Sequence, residues 1–129
     1  MKKKILKVFL SILAIAVVVS SFAVTASAAS KSVTLTVSDK WVYTGTVSSK
    51  GTKATVYNAA SSKHDVYGII QYKSGSEYVT DREFLVDQNA SLTRNSNSYF
   101  SANKTWRLQL NPYGVGTKNC TADGTIYTR

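Results

Sequence analysis

The sequence predicts an all-β fold: an antiparallel β-sandwich of about seven or eight short strands, of the immunoglobulin-like or Greek-key type, with a small β-barrel as the alternative. Three observations predict it. No window after residue 30 holds a sustained 3.6-residue apolar period built from good helix formers. Short runs rich in valine, threonine, tyrosine and isoleucine recur instead, separated by clusters of Gly, Ser, Asn and Asp. The runs are evenly spaced over about a hundred residues, the length of one sandwich domain.

Before the first strand, residues 1–28 read as a cleaved secretory signal peptide, leaving 29–129 as a single β-sandwich domain. The positive segment Met1-Lys2-Lys3-Lys4-Ile5-Leu6-Lys7 precedes an apolar run over 8–19, interrupted only by Ser11. A small-residue stretch containing Ala26-Ser27-Ala28 follows, so cleavage is expected after Ala28 or Ala29. The rival reading is an uncleaved anchor, but residues 8–24 only just reach the length that spans a bilayer. A lipid anchor would need a cysteine at the cleavage site, and the chain's single cysteine is Cys120.

The first expected strand covers 32–37, with Val33, Leu35 and Val37 on one face and Ser32, Thr34 and Thr36 on the other. The second covers 41–47 and the third 53–59. A turn at Ser48-Ser49-Lys50-Gly51 makes them a plausible hairpin, with Gly51 available for positive φ. The fourth run, 65–73, is the most apolar. It meets 77–86 across Ser74-Gly75-Ser76, in a preferred register that sets Lys73 against Glu77, Tyr72 against Tyr78 and Val66 against Phe84; a loop of two or four residues, pairing Tyr72 with Glu77, is the alternative. A sixth run lies around 90–93, before the polar segment 94–98. In the seventh, 105–110, Trp106, Leu108 and Leu110 form an apolar face while Arg107 and Gln109 point outward. Asn111-Pro112-Tyr113-Gly114 ends it. The last run is 124–128, with Ile126 inward.

Charge and cysteine usage bound the partners. Lys2, Lys3, Lys4 and Lys7 leave with the signal, so 12 of the 16 basic residues remain against 7 acidic ones, a net +5. These cations never form a run. A mild, dispersed positive charge favours anionic surfaces outside the cell, such as a cell-wall polymer or glycan, and lacks the dense stripe of a nucleic-acid binder. No stable membrane span is expected after cleavage. Cys120 cannot form an internal bridge; it reads as a buried small residue, with an intermolecular disulfide or reactive thiol as the rival readings.

No catalytic, cofactor or metal site is expected. His64, the only histidine, stands beside Asp65, but neighbours on a strand point to opposite faces, and no G-x-S-x-G elbow accompanies them. Asp81 and Glu83 share a strand face, and their Cα atoms stand about 7 Å apart, within reach of a glycosidase pair. They share that face with Lys73, Gln71 and Glu77, which reads as a solvated surface. Asp81, Glu83 and Asp87 lack the Asp/Asn/Gly loop that wraps calcium. Asn89-Ala90-Ser91, Asn103-Lys104-Thr105 and Asn119-Cys120-Thr121 match the glycosylation triplet at the level chance allows in so Asn- and Ser/Thr-rich a chain. The lysine-rich signal is of a bacterial kind, in which such triplets go unused.

Most of the eight tyrosines and two tryptophans serve the strands themselves. Tyr67 falls on the polar face of its strand. Tyr113 sits in a glycine-containing loop with Lys118. These three are the candidate ligand contacts, an aromatic pair and a cation suited to stacking on sugars or peptides. The expected function is a secreted, non-enzymatic binding module for envelope or extracellular polymers and glycans, monomeric or weakly associating. The alternative is a secreted effector, such as a bacteriocin, toxin or inhibitor acting on another cell or protein, and a hydrolase ranks last.

Overall fold

The computed structural model describes residues 29–129, and the expected signal at 1–28 lies outside the described residues. Among them are nine strands and no helix. They are β1 (Ser30–Leu35), β2 (Val42–Tyr43), β3 (Val47–Ser49), β4 (Thr52–Asn58), β5 (Val66–Ser74), β6 (Glu77–Val86), β7 (Ala90–Asn95), β8 (Lys104–Pro112) and β9 (Ala122–Thr128). Two antiparallel sheets result. One runs β1-β9-β4-β7; the other runs β2-β8-β5-β6, with β3 on the same edge of β8 as β2. The sandwich is therefore the architecture, and the barrel is not.

The core lies between the sheets and is built by alternation. On β8, Trp106, Leu108, Leu110 and Pro112 are fully buried, while Arg107 and Gln109 turn outward as the pattern predicts. Facing them, β9 contributes Ala122 and Ile126, and β4 contributes Ala54 and Val56. Between Ala122 and Ile126 stands Gly124. A Cβ there would lie 2.9 Å from Leu108 Cδ2 and 3.0 Å from Leu110 Cδ2, so the missing side chain is the space those leucines occupy. Trp106 donates from Nε1 to the Ser49 carbonyl at 2.8 Å and packs edge-on against Tyr72, with Phe100 completing a three-ring cluster. Cys120 is buried, as expected of a small apolar side chain, and its thiol donates to the His64 carbonyl at 3.4 Å.

Four local expectations are corrected. Residues 41–47 and 53–59 do not form a hairpin: β2 and β3 pair with β8, while β4 pairs with β7 and β9 in the other sheet. The corner at Lys50-Gly51 crosses the sandwich, which lets Val47 and Val56 both bury in one core. Glycine fits there by contact rather than by positive φ: a Cβ on Gly51 would come within 2.6 Å of the Tyr99 ring, which would have to shift. The β5–β6 hairpin is real, but its turn is only Gly75-Ser76, with Gly75 at φ 64. Ser74 therefore faces Glu77 and Lys73 faces Tyr78, so the expected Lys73–Glu77 pair does not form. A bulge at Ile70/Gln71 then shifts the register again, setting Val66 against Val86 and Gly68 against Phe84. The first strand ends at Leu35, so Val37 leaves the sheet and is 58% exposed.

The edge of β8 explains the two short strands. Between β2 and β3 the ladder is interrupted, and Thr44 bridges the gap. Its N–H donates to the Leu108 carbonyl at 2.9 Å, and its hydroxyl accepts from the Leu108 N–H at 3.0 Å. Because β2 and β3 form a broken edge rather than a continuous strand, Val42 and Val47 can both point inward although they sit five positions apart.

Two stability measurements check the core. Trp106→Ala removes the centre of the ring cluster and is expected to cost about 3–5 kcal/mol in urea unfolding, a large share of a typical 5–15 kcal/mol. Gly124→Ala tests close approach: relief of backbone entropy alone would stabilise by about 0.5–1 kcal/mol, whereas overpacking against the two leucines should destabilise by about 1–3 kcal/mol. We expect the second sign.

Candidate functional site

At the end of β1 a tight turn is closed by Asp39. Its carboxylate accepts from the Thr36 N–H at 2.9 Å and the Thr36 hydroxyl at 2.8 Å, while the Asp39 N–H donates to the Thr36 carbonyl at 3.0 Å. The backbone hydrogen bond from Thr36, then the one from its hydroxyl, hold the Asp39 carboxyl below its ordinary range. This turn delivers Lys40 and Trp41 to the surface before β2 begins. Asn111, at the end of β8, steadies the same segment: with its amide turned so that nitrogen faces acceptors, it donates to the Lys40 carbonyl at 2.9 Å.

The other wall comes from the β8–β9 connection. The Tyr113 N–H donates to the Asp65 carbonyl at 2.8 Å, which continues the β8–β5 ladder one residue beyond Pro112. That bond places the Tyr113 ring beside Tyr67 on β5, with centroids 5.9 Å apart and planes tilted by 37°. Gly114 and Gly116, at φ 104 and φ 65, then turn the chain, and Thr117 N–H donates back to the Gly114 carbonyl. The loop is anchored again where Asn119 N–H donates to the Val37 carbonyl at 3.0 Å.

Between these walls lies an open cleft of about 520 Å³, lined chiefly by Lys40, Trp41, Tyr67, Asn111 and Tyr113 and by the Gly114-Val115-Gly116 turn. Trp41 and Tyr113 are each about half exposed, and Val115 stands fully exposed at the loop tip. Such a surface offers flat apolar rings with a cation at the rim. It can stack on a ring-shaped ligand and meet a negative group.

Of the residues singled out in the sequence, the structure brings Tyr67 and Tyr113 together in this cleft. Lys118 is exposed but is not among the lining residues, and Lys40 supplies the cation instead. Trp41, Lys40 and Asn111 escaped sequence reasoning. Reading 41–47 as one strand puts Trp41 on the same face as Val47, an inward residue. The break at Gly45 and Thr46 reverses that parity and turns Trp41 out.

The residues weighed for chemistry have other duties. His64 is exposed, and its carbonyl accepts from Asn58 Nδ2 at 3.1 Å as well as from Cys120. Asp81 is the extra residue of the β6 bulge. Its carboxylate accepts from the Asn97 N–H at 2.6 Å and the Ser98 N–H at 3.3 Å, closing the loop after β7. Glu83 remains exposed opposite Ile69. Among the described residues, no three His, Cys, Asp or Glu side chains gather as a metal cluster.

No protein-family model matches the chain, and no curated protein matches it. Solved structures of similar fold include the following two. One is the Yersinia pseudotuberculosis-derived mitogen, at 11% identity and a TM-score of 0.47, over 79% of this chain and 85% of that one. The other is PirA, at 11% identity and a TM-score of 0.49, over 78% of this chain and 93% of that one. No helix among the described residues is long and apolar enough to cross a membrane.

The Asp39 turn yields a pH prediction. Because its folded carboxyl titrates below the unfolded value of about 3.9, its contribution is complete above that value and is lost as pH falls through the lower folded one. The Thr36 amide resonance should hold steady from neutral pH to about pH 4 and move only below it. In Asp39→Asn that titration should vanish.

Proposed function

We propose that this chain is an exported, non-enzymatic binding module that recognises envelope or extracellular polymers carrying sugar rings, and that it does so in the Trp41–Tyr67–Tyr113 cleft. One observation carries the reading: three aromatic side chains from three separate segments converge on one open cleft instead of burying in the core. Partly exposed rings held by backbone hydrogen bonds offer contact area at small entropic cost, which suits stacking on sugar faces. Lys40 at the rim and the net +5 of residues 29–129 favour an anionic polymer, and the export signal expected at 1–28 supports a meeting outside the cell.

A second reading, an effector acting on another cell, is favoured by one feature. Val115 projects fully into solvent from a glycine turn, flanked by Tyr113 and near Trp41. An apolar tip of this kind is a surface that a membrane or protein partner would cover.

Retention of the purified 29–129 chain on insoluble cell-wall material, at low and high salt, tests both. We expect retention at low salt and release at high salt. Trp41→Ala and Tyr113→Ala should each weaken it about three- to tenfold, the scale of one aromatic stack. Absence of retention at low salt overturns the polymer reading. Binding to anionic lipid vesicles instead, lost in Val115→Asp, would put the effector reading in its place.

A further inference from the structure

The outer face of the five-stranded sheet carries a second feature, about 13 Å along β5 from Tyr67, at Gln71. Here Arg107 points out from β8 between the inward Trp106 and Leu108. Its guanidinium lies 3.9 Å from the centroid of the Tyr43 ring and 3.7 Å from that of Tyr78. Both are well inside the ~6 Å reach of a cation–π contact. The two tyrosines come from the strands on either side, β2 and β6, and Gln71 on β5 accepts from Arg107 Nε at 2.8 Å. Four strands thus converge on one cation.

That arrangement leaves a specific part of the side chain unused. The ring faces are stacked and Nε is bonded, but Nη1 and Nη2 have no acceptor among the described residues, and neither belongs to the buried unpartnered atoms. The fork that matches a planar oxyanion therefore stays open to solvent. A free surface arginine would have to give up its rotamer freedom on binding, whereas this one has already done so. The flanking rings also exclude water and strengthen a charged hydrogen bond made beside them.

We propose that the Tyr43–Arg107–Tyr78 clamp is an anion-recognition site that takes one carboxylate or phosphoryl group through Arg107 Nη1 and Nη2. An acidic polymer lying along β5 would meet cleft and clamp together, but the clamp's reading stands without the cleft's.

The test observes the clamp directly. The Arg107 Nε–H resonance and the Tyr43 and Tyr78 ring resonances are followed while the 29–129 chain is titrated with a uronic-acid oligosaccharide, a glycerol-phosphate oligomer or a neutral oligosaccharide of equal length. Shifts with an acidic probe and not with the neutral one support the site, and the acidic probe that acts identifies the group as carboxylate or phosphoryl. Arg107→Lys keeps the charge but loses the planar fork, and should weaken the response about tenfold or more. Tyr43→Leu, on the exposed edge, should weaken it less. No shift with either acidic probe, equal shifts with the neutral one, or an unchanged affinity in Arg107→Lys would overturn the proposal. Trp41→Ala serves as the internal control: it should reduce binding at the cleft and leave the Arg107 response to short acidic probes intact.

Discussion

The structure depends on the approach of β8 to β9. β8 is hydrogen-bonded on both edges, to β2 and β3 on one side and β5 on the other, and its inward column is fully buried. That column can reach the opposite sheet only because position 124 has no side chain where Leu108 and Leu110 arrive. Dispersion and apolar burial favour the contact together, and a gap of even half an ångström would forfeit about a quarter of the dispersion attraction. The Trp106 indole then closes one end of the core, satisfied by a carbonyl of β3 rather than by water.

The same strand organises the surface. Alternation places Arg107, Gln109 and Asn111 on the face opposite the leucines, so the rigidity of the core is inherited by the groups outside it. Asn111 tethers the Lys40–Trp41 segment, and Arg107 gathers tyrosines from two other strands. A cleft and a clamp are thus mounted on one well-packed element, and the variable parts are the loops that meet it.

Polar side chains make several of the joins between distant segments. Asn58, fully buried, donates from one amide nitrogen to carbonyls at the entry of β5 and the end of β6, linking the two sheets. Ser62 and Thr121 exchange two hydrogen bonds across 59 positions of sequence. Two residues that stand out in the sequence take part in such joins: the His64 carbonyl accepts from the Asn58 side-chain amide, and the Asp81 carboxylate accepts from loop N–H groups after β7 that would otherwise lack partners.

What the sequence by itself determined was the local alternation. The all-β class, the inward faces of β8 and β9, the burial of Trp106, Ile126 and Cys120, and the outward turn of Tyr67 follow from a two-residue period and residue type, which act on each strand separately. What only the tertiary structure decided was every relation that crosses the sandwich or depends on counting residues through an irregularity. The corner at Gly51, the two-residue turn at Gly75, the bulge that isolates Asp81 and the break that turns Trp41 outward each shift parity or partner by one step. For that reason Tyr67 and Tyr113 were legible as outward-facing aromatics, while their meeting with Trp41 and Lys40 was not. Nearness between residues far apart in sequence is set by which strands pair, and pairing is a property of the packed whole.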